Sequence, residues 1–407
     1  MSAPGDSSDA APGGLPRRAR LGAELDTDAV AFTTAGLRVA AVVAGGLAAR
    51  AGVVGGDLIT AIAGAPVRTL GELAIALRRA GAAATVELTV TREGVARSAS
   101  VSVERVALAA GDPPVEYGAL VVPGARLRSL VTRVKQPRAV VLVIAGIACE
   151  SIEHDGDADA PLAALVASWG RAGFDSVRFD KRGVGDSESD GGPCGATDFA
   201  TEQADAAAAL ALAAAVAHER CVPLVVYGHS VGGIVAARLA QAAPIAGFIL
   251  HGVPARSWMA TLEDSVRRQL ALHGAGPVEV AARIEAVRAL RDRGDLNGRS
   301  AAYHAQLAAL DLDAAWAMLA APVLVLRGEH DWVVRRGDAE LLAARAPGRS
   351  TIVDLAGLDH LGGWHADRDA SLRDYGSGRA GVELATATCA WLDELVSLGS
   401  TISSNRA

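Results

Sequence analysis

Pro223-Leu224-Val225-Val226-Tyr227-Gly228-His229-Ser230-Val231-Gly232-Gly233 is the stretch that decides the fold. Pro223–Tyr227 is a continuous apolar run of strand length, as expected of a strand buried on both faces. Gly228-His229-Ser230-Val231-Gly232 interrupts it, and Ile234–Ala242 carries a helical apolar pattern. In this strand–turn–helix setting, G-x-S-x-G projects the serine hydroxyl above the end of a sheet, because the glycines let strand and helix approach closely. In a chain with 45 glycines the pentapeptide alone is weak evidence. Its position between strand and helix gives it meaning.

Working outward, Val140–Ile144, Ser176–Phe179, Gly247–Leu250, Val323–Leu326 and Thr351–Leu355 are further apolar runs of strand length. Helical patterns at Leu162–Ala172 and Phe199–Ala217 separate several of them, which predicts a doubly wound, mostly parallel sheet with helices on both faces. Val115–Val122 and Arg126–Val134 read as an antiparallel lead-in. A serine hydroxyl is a poor nucleophile until a base takes its proton. Past the strand at Val323–Leu326 lies Arg327-Gly328-Glu329-His330-Asp331, and past Thr351–Leu355 lies Ala356-Gly357-Leu358-Asp359-His360. Asp331 is the expected acid and His360 the expected base, with Glu329 and His365 as competitors.

The order Ser230, Asp331, His360, each just beyond a strand, resembles the α/β-hydrolase superfamily, and the resemblance covers nearly everything after residue 115. It implies acyl transfer through a Ser-His-Asp triad and an acyl-enzyme, on a carboxylic ester first, with a thioesterase or acyltransferase acting on a carrier-bound acyl chain and then a peptidase or amidase as alternatives. No cofactor or metal is needed. Ala145-Gly146-Ile147-Ala148-Cys149-Glu150-Ser151 stands where family members often carry His-Gly, and the resemblance assigns the oxyanion hole to the N–H groups of Ile147 and Val231, with Ala148 as the alternative to Ile147. Phe179–Ser187 looks like the structural turn after the family's fourth strand. The helical patterns Trp258–His273, Val278–Arg293 and Ala301–Leu319 look like a cap inserted at about 254–319. Trp258, Met259, Tyr303, His304 and Trp316 are candidates to line an acyl pocket, with ordinary cap packing as the competing reading. Ala148, His229 and His251 are candidates nearer the serine.

The leading part differs. Leu37–Val43, Asp57–Ile62 and a hairpin about Arg92-Glu93-Gly94 read as strands, with Thr69 as N-cap of a helix over Leu70–Ala80. Gly45-Gly46-Leu47-Ala48-Ala49-Arg50-Ala51-Gly52, Gly55-Gly56-Asp57-Leu58-Ile59 and Val67–Leu73 make this stretch resemble a bacterial PDZ domain, a small α+β module. The resemblance implies a peptide groove beside Gly36, Leu37 and Val39, with Thr34-Ala35-Gly36-Leu37 at the carboxylate end. Docking on a neighbour without a free peptide is the competing reading. For the chain as a whole, a non-catalytic PDZ-type peptide-binding protein is the competing reading from another class. Residues 1–20 read as a disordered lead-in, 21–107 as the PDZ-like unit, 108–114 as a Gly/Pro linker and 115–400 as the hydrolase.

Composition bounds the rest. At roughly 100–200 residues per domain, 407 residues allow two or three domains. Hydrophobic residues at 51% supply a core, and a net charge of −7 argues against nucleic acid as the main partner. Lys135 and Lys181 are the only lysines, which leaves Schiff-base chemistry few candidates. The longest apolar run, Ala206–Ala217, is too short to span a bilayer, so a cytoplasmic location is the expectation. Cys149 and Cys194 fall on loops at the same end of neighbouring strands, with reduced thiols the expected state in that compartment. Cys221 and Cys389 read as core thiols.

Overall fold

Alternation of apolar and polar residues builds an antiparallel sheet in the leading part of this computed structural model, which describes residues 14–26, 32–33, 35–109, 113–153 and 157–404, with only the backbone described for 32–33 and 399–404. The elements are β1 (Ala23–Leu25), β2 (Phe32–Thr33), β3 (Gly36–Val42), α1 (Gly46–Arg50), β4 (Leu58–Ile62), β5 (Ala65–Pro66), α2 (Leu70–Gly81), β6 (Thr85–Arg92) and β7 (Val95–Ser102). Strand order is β1-β3-β4-β6-β7, with β2 paired to β3 and β5 to β4. Thr69 caps α2 as expected: its hydroxyl accepts from Glu72 N–H at 3.1 Å while the Glu72 carboxylate accepts from Thr69 N–H at 3.2 Å. Glu93 and Gly94 close the β6–β7 hairpin, both at positive φ, the geometry of a two-residue turn matched to strand twist. Leu37, Leu47, Ile59, Ile62 and Leu88 form the core.

The chain divides into two compact units, and the division does not follow the Gly/Pro break at 108–114. The first comprises Met1–Ala109, Tyr117–Arg128 and Asp180–Ala196; the second comprises Ala110–Glu116, Ser129–Phe179 and Thr197–Ala407. Nor are all of residues 1–20 a loose lead-in. Residues 1–13 lie outside the described residues, but Leu15 and Ala19 are buried apolar residues, and Arg17 and Arg18 are buried beside them. The reason is Asp186, fully buried, which pairs with Arg17, accepts from Arg18 N–H at 2.9 Å and receives Arg128 Nε at 3.2 Å. Arg17 also lies over the Tyr117 ring, 5.0 Å from its centroid. Local composition carries no sign of a carboxylate 168 residues away. Asp186→Ala leaves several buried guanidinium groups without their shared anion, so it is expected to destabilise the first unit by about 3–5 kcal/mol. A urea midpoint shift worth less than about 1 kcal/mol would show that the network does not hold these segments.

A second, larger sheet contains β8 (Val115–Val122) and β9 (Ala125–Thr132), then β10 (Val140–Ile144), β11 (Asp175–Phe179), β12 (Glu188–Ser189), β13 (Leu224–His229), β14 (Ile245–His251), β15 (Val323–Gly328) and β16 (Ser350–Leu355). Its order is β12-β9-β11-β10-β13-β14-β15-β16, with β8 paired to β9. The strands β10, β11, β13, β14, β15 and β16 are parallel and β9 is antiparallel to β11, as the apolar runs predict. Among the helices, α3 (Pro161–Arg171), α4 (Phe199–Arg220) and α5 (Val231–Arg238) follow successive strands.

The cap is α6 (Trp258–Leu272), α7 (Pro277–Arg293), α8 (Ala301–Ala308) and α9 (Leu312–Ala317). The single helix expected over 301–319 is two, because the Asp311 carboxylate accepts from Ala314 N–H and starts a new one. The helices α10 (Asp338–Arg345), α11 (Arg368–Arg373) and α12 (Val382–Ser404) complete the chain. Leu384, Trp391 and Leu392 of α12 pack with Leu165 and Trp169 of α3 against Val141, Val225 and Ile249 of the sheet. Among the described residues no helix is long and apolar enough to cross a membrane.

Candidate active site

Ser230 sits at the tip of the β13–α5 turn with φ 52° and ψ −125°, a left-handed conformation that a non-glycine residue adopts only when its surroundings impose it. Two constraints impose it. Ser230 N–H donates to the His251 carbonyl at 2.9 Å, fixing the turn to β14. Gly232 lets α5 run against the end of β10, since a Cβ there would stand 2.2 Å from the Ile144 carbonyl oxygen. Gly146, on the next loop, passes the serine so closely that a Cβ would lie 3.2 Å from Ser230 Cβ. The Ala145–Ser151 loop and the start of α5 therefore meet at Ser230. Val231 is the first residue of α5, so its N–H belongs to the turn that has no intrahelical acceptor.

His360 and Asp331 come together as the spacing predicts. His360 Nδ1 donates to Asp331 Oδ2 at 2.9 Å, and both side chains are buried. Asp331 Oδ1 accepts from Val333 and Val334 N–H at 2.8 and 2.9 Å, so both carboxylate oxygens are engaged. A proton on Nδ1 leaves Nε2 of His360 as the basic nitrogen. Ser230 Oγ makes no hydrogen bond among the described residues; such bonds are commonly long in unliganded sites and tighten on substrate. The competitors are placed elsewhere. Glu329 accepts from Gly357 N–H at 2.9 Å. His365 pairs with Asp359 at 3.0 Å, and Asp359 also accepts from Leu361 and Gly363 N–H, bracing the loop that carries His360.

His229 and His251 support this centre. His229 Nε2 donates to the His360 carbonyl at 2.9 Å, and its ring lies 5.0 Å from the His360 ring and 5.2 Å from that of His251. His251 is buried and shares a hydrogen bond with the Tyr227 hydroxyl at 2.9 Å. Burial, then the neighbouring His229 and His360, hold its pKa well below the usual imidazole range, so it stays neutral. Burial likewise raises the Tyr227 hydroxyl.

The aromatic pocket candidates are taken up by packing, Trp258 against His304 within the cap and Tyr303 edge-on against Phe199 of α4. Trp258, Tyr303 and Trp316 are all buried. Trp258 Nε1 donates to His304 Nδ1 at 3.0 Å, His304 Nε2 donates to the Leu296 carbonyl, and Trp316 Nε1 donates to the Ala255 carbonyl at 3.1 Å. Indole and imidazole satisfy one another, so cap packing wins over pocket lining. Ala148 alone of these candidates is exposed, on the loop beside Ser230.

In the first unit, the strand edge expected to receive a peptide is already paired. Val39 N–H donates to the Asp57 carbonyl and the Val39 carbonyl accepts from Gly56, while β1 covers the other edge through Leu25, Glu24 and Ala23. β2 pairs Gly36 and Leu37. Thr34 lies outside the described residues. Cys149 and Cys194 are disulfide sulfurs, against the expectation of thiols, while Cys221 and Cys389 are free. Cys221 is exposed, not core, because it ends α4 in a left-handed conformation.

The family model described as serine aminopeptidase, S33, matches residues 135–361, a span that holds Ser230, Asp331 and His360. The chain belongs to the S33 family. It is thus an α/β-hydrolase, and residues 38–92 match the PDZ domain. No curated protein matches the chain at a significant level. Among solved structures, this S33 member is similar to a lipase in its open form (18% identity, TM-score 0.48, covering 70% of this chain and 99% of that one). It is also similar to a soluble variant of monoglyceride lipase from Saccharomyces cerevisiae (17%, 0.47, 70% and 96%). A third is Est1E from Butyrivibrio proteoclasticus (13%, 0.44, 69% and 99%). Sequence reasoning missed Arg299 and Glu202, a buried pair joining the S33 chain's cap to α4. Isolated charges in helical surroundings give no sign of being buried together.

Proposed function

We propose that this hydrolase cleaves a carboxylic ester through Ser230, His360 and Asp331. The carrying observation is the His360 Nδ1–Asp331 Oδ2 hydrogen bond beside a serine held at positive φ. Ser230 Oγ attacks the ester carbonyl carbon as its proton passes to His360 Nε2. The tetrahedral oxyanion is held by the N–H groups of Val231 and of Ile147, or Ala148 in its place. Collapse expels the alcohol, which takes the proton from His360. Water then attacks the acyl-enzyme, giving its proton to His360 and releasing the acid, and Ser230 regains its proton. Asp331 keeps the productive tautomer and stabilises the imidazolium.

An ester places less demand on this apparatus than an amide, because an alkoxide leaves with less protonation than an amine. The S33 family's own description favours a second reading, release of an amino-terminal residue from a peptide. A carrier-bound thioester is the third. Purified protein is expected to turn over para-nitrophenyl acyl esters faster than matched acyl thioesters, and both faster than aminoacyl anilides. Anilide cleavage exceeding ester cleavage would replace the ester reading by the aminopeptidase one.

A further inference from the structure

Arg299 has no part in the chemistry above, yet it is a fully buried guanidinium on the cap's approach to α8. Its Nη2 pairs with Glu202 in the first turns of α4. Its plane stacks on Tyr303, with Cζ 3.9 Å from the ring centroid, and Tyr303 meets Phe199 edge-on at 5.7 Å. Its Nη1 donates to Cys149 Sγ at 3.2 Å. Cys149 lies on the Ala145–Ser151 loop, two residues beyond Ile147 and one beyond the exposed Ala148. One cation thus touches the cap, α4 and the loop that passes Ser230.

We propose that Arg299 is a positioning residue for the oxyanion hole, holding the Ile147–Cys149 backbone in register with Val231 N–H and making that register depend on the seating of the cap. The inference rests on the serine-hydrolase reading. Oxyanion donors act only when fixed before charge develops, and displacement by about 1 Å can cost about 10²-fold in rate. A planar fork that pairs with Glu202 and still reaches Cys149 fixes the loop in a way a flexible ammonium does not. A second tie joins cap and α4 without touching this loop: Gln306 accepts from Ala200 N–H at 2.8 Å and donates to Asp198 at 3.2 Å. It supplies the control.

The test compares wild type with Arg299→Lys, Glu202→Gln and Gln306→Ala, counting active sites by fluorophosphonate titration before measuring hydrolysis of para-nitrophenyl butyrate. For Arg299→Lys, kcat per titrated site is expected to fall about tenfold or more with KM within about twofold. Affinity for a boronic acid, a tetrahedral mimic, should fall alongside kcat. Glu202→Gln should move both in the same direction and stands in if Arg299→Lys does not fold; Gln306→Ala should move neither. If Arg299→Lys and Glu202→Gln lower only the titratable fraction or the melting temperature, leaving kcat per site unchanged, the role is structural and the inference falls. A rise in KM at constant kcat also overturns it, by placing Arg299 in substrate binding. Wild-type protein unlabelled at Ser230 would instead refute the serine-hydrolase reading, and this inference with it.

Discussion

Ser230→Ala is expected to lower turnover by about six orders of magnitude and to abolish fluorophosphonate labelling, leaving the fold intact. The size follows from what the hydroxyl does: without it no acyl-enzyme forms, and His360 and the oxyanion donors act only on adventitious water. Stability should move by no more than about 0.5 kcal/mol, because Oγ makes no hydrogen bond among the described residues and alanine keeps the Cβ. Ser230→Gly separates strain from chemistry. The left-handed φ of 52° costs a non-glycine residue about 1–3 kcal/mol. Glycine should therefore be as inactive as alanine but more stable, by about 1 kcal/mol. The measurements are turnover of an activated ester and urea midpoints for both variants. More than a few per cent of wild-type turnover in Ser230→Ala, on verified protein, would remove Ser230 from the mechanism.

The strain at Ser230 also explains why this part of the molecule could be read from sequence. Strand, turn and helix follow from local pattern, and the glycine at 232 is dictated by contact with β10, so the motif carries its geometry with it. The same holds for Thr69, whose capping partner Glu72 stands only three positions further along. Reading failed where a residue's partner is distant. Leu15, Arg17 and Arg18 sit in a stretch rich in proline, glycine and charge, and distant partners make them part of a folded unit: Asp186 for both arginines, the Val106 carbonyl for Arg17 and Arg128 for the Leu15 carbonyl. Trp258 and Tyr303 could be placed on the cap but not turned, because facing depends on His304, Arg299 and Phe199. The filled edge of β3 follows from β1, a strand of only three residues that carries almost no periodicity.

Asp331→Asn should cost about four orders of magnitude in turnover with little change in fold. The contacts of the two carboxylate oxygens give the reason. Val333 and Val334 N–H both point at Oδ1, so in the asparagine variant that position must be taken by the amide oxygen. The amide nitrogen then faces His360 Nδ1. Two donors cannot share a hydrogen bond, so His360 must give up its Nδ1 proton and carry it on Nε2, the nitrogen that has to accept from Ser230. The base is blocked by a tautomer, with every heavy atom nearly in place. Glu329→Gln is the control: its amide oxygen can still accept from Gly357 N–H, and the side chain makes no hydrogen bond to His360 among the described residues, so turnover should stay within about threefold. The pair is measured as kcat on an activated ester, with circular dichroism to verify folding. A large loss in Glu329→Gln beside a mild one in Asp331→Asn would transfer the role of the acid to Glu329. That outcome would require Glu329 to leave Gly357 and the His360–Asp331 hydrogen bond to be dispensable in the transition state.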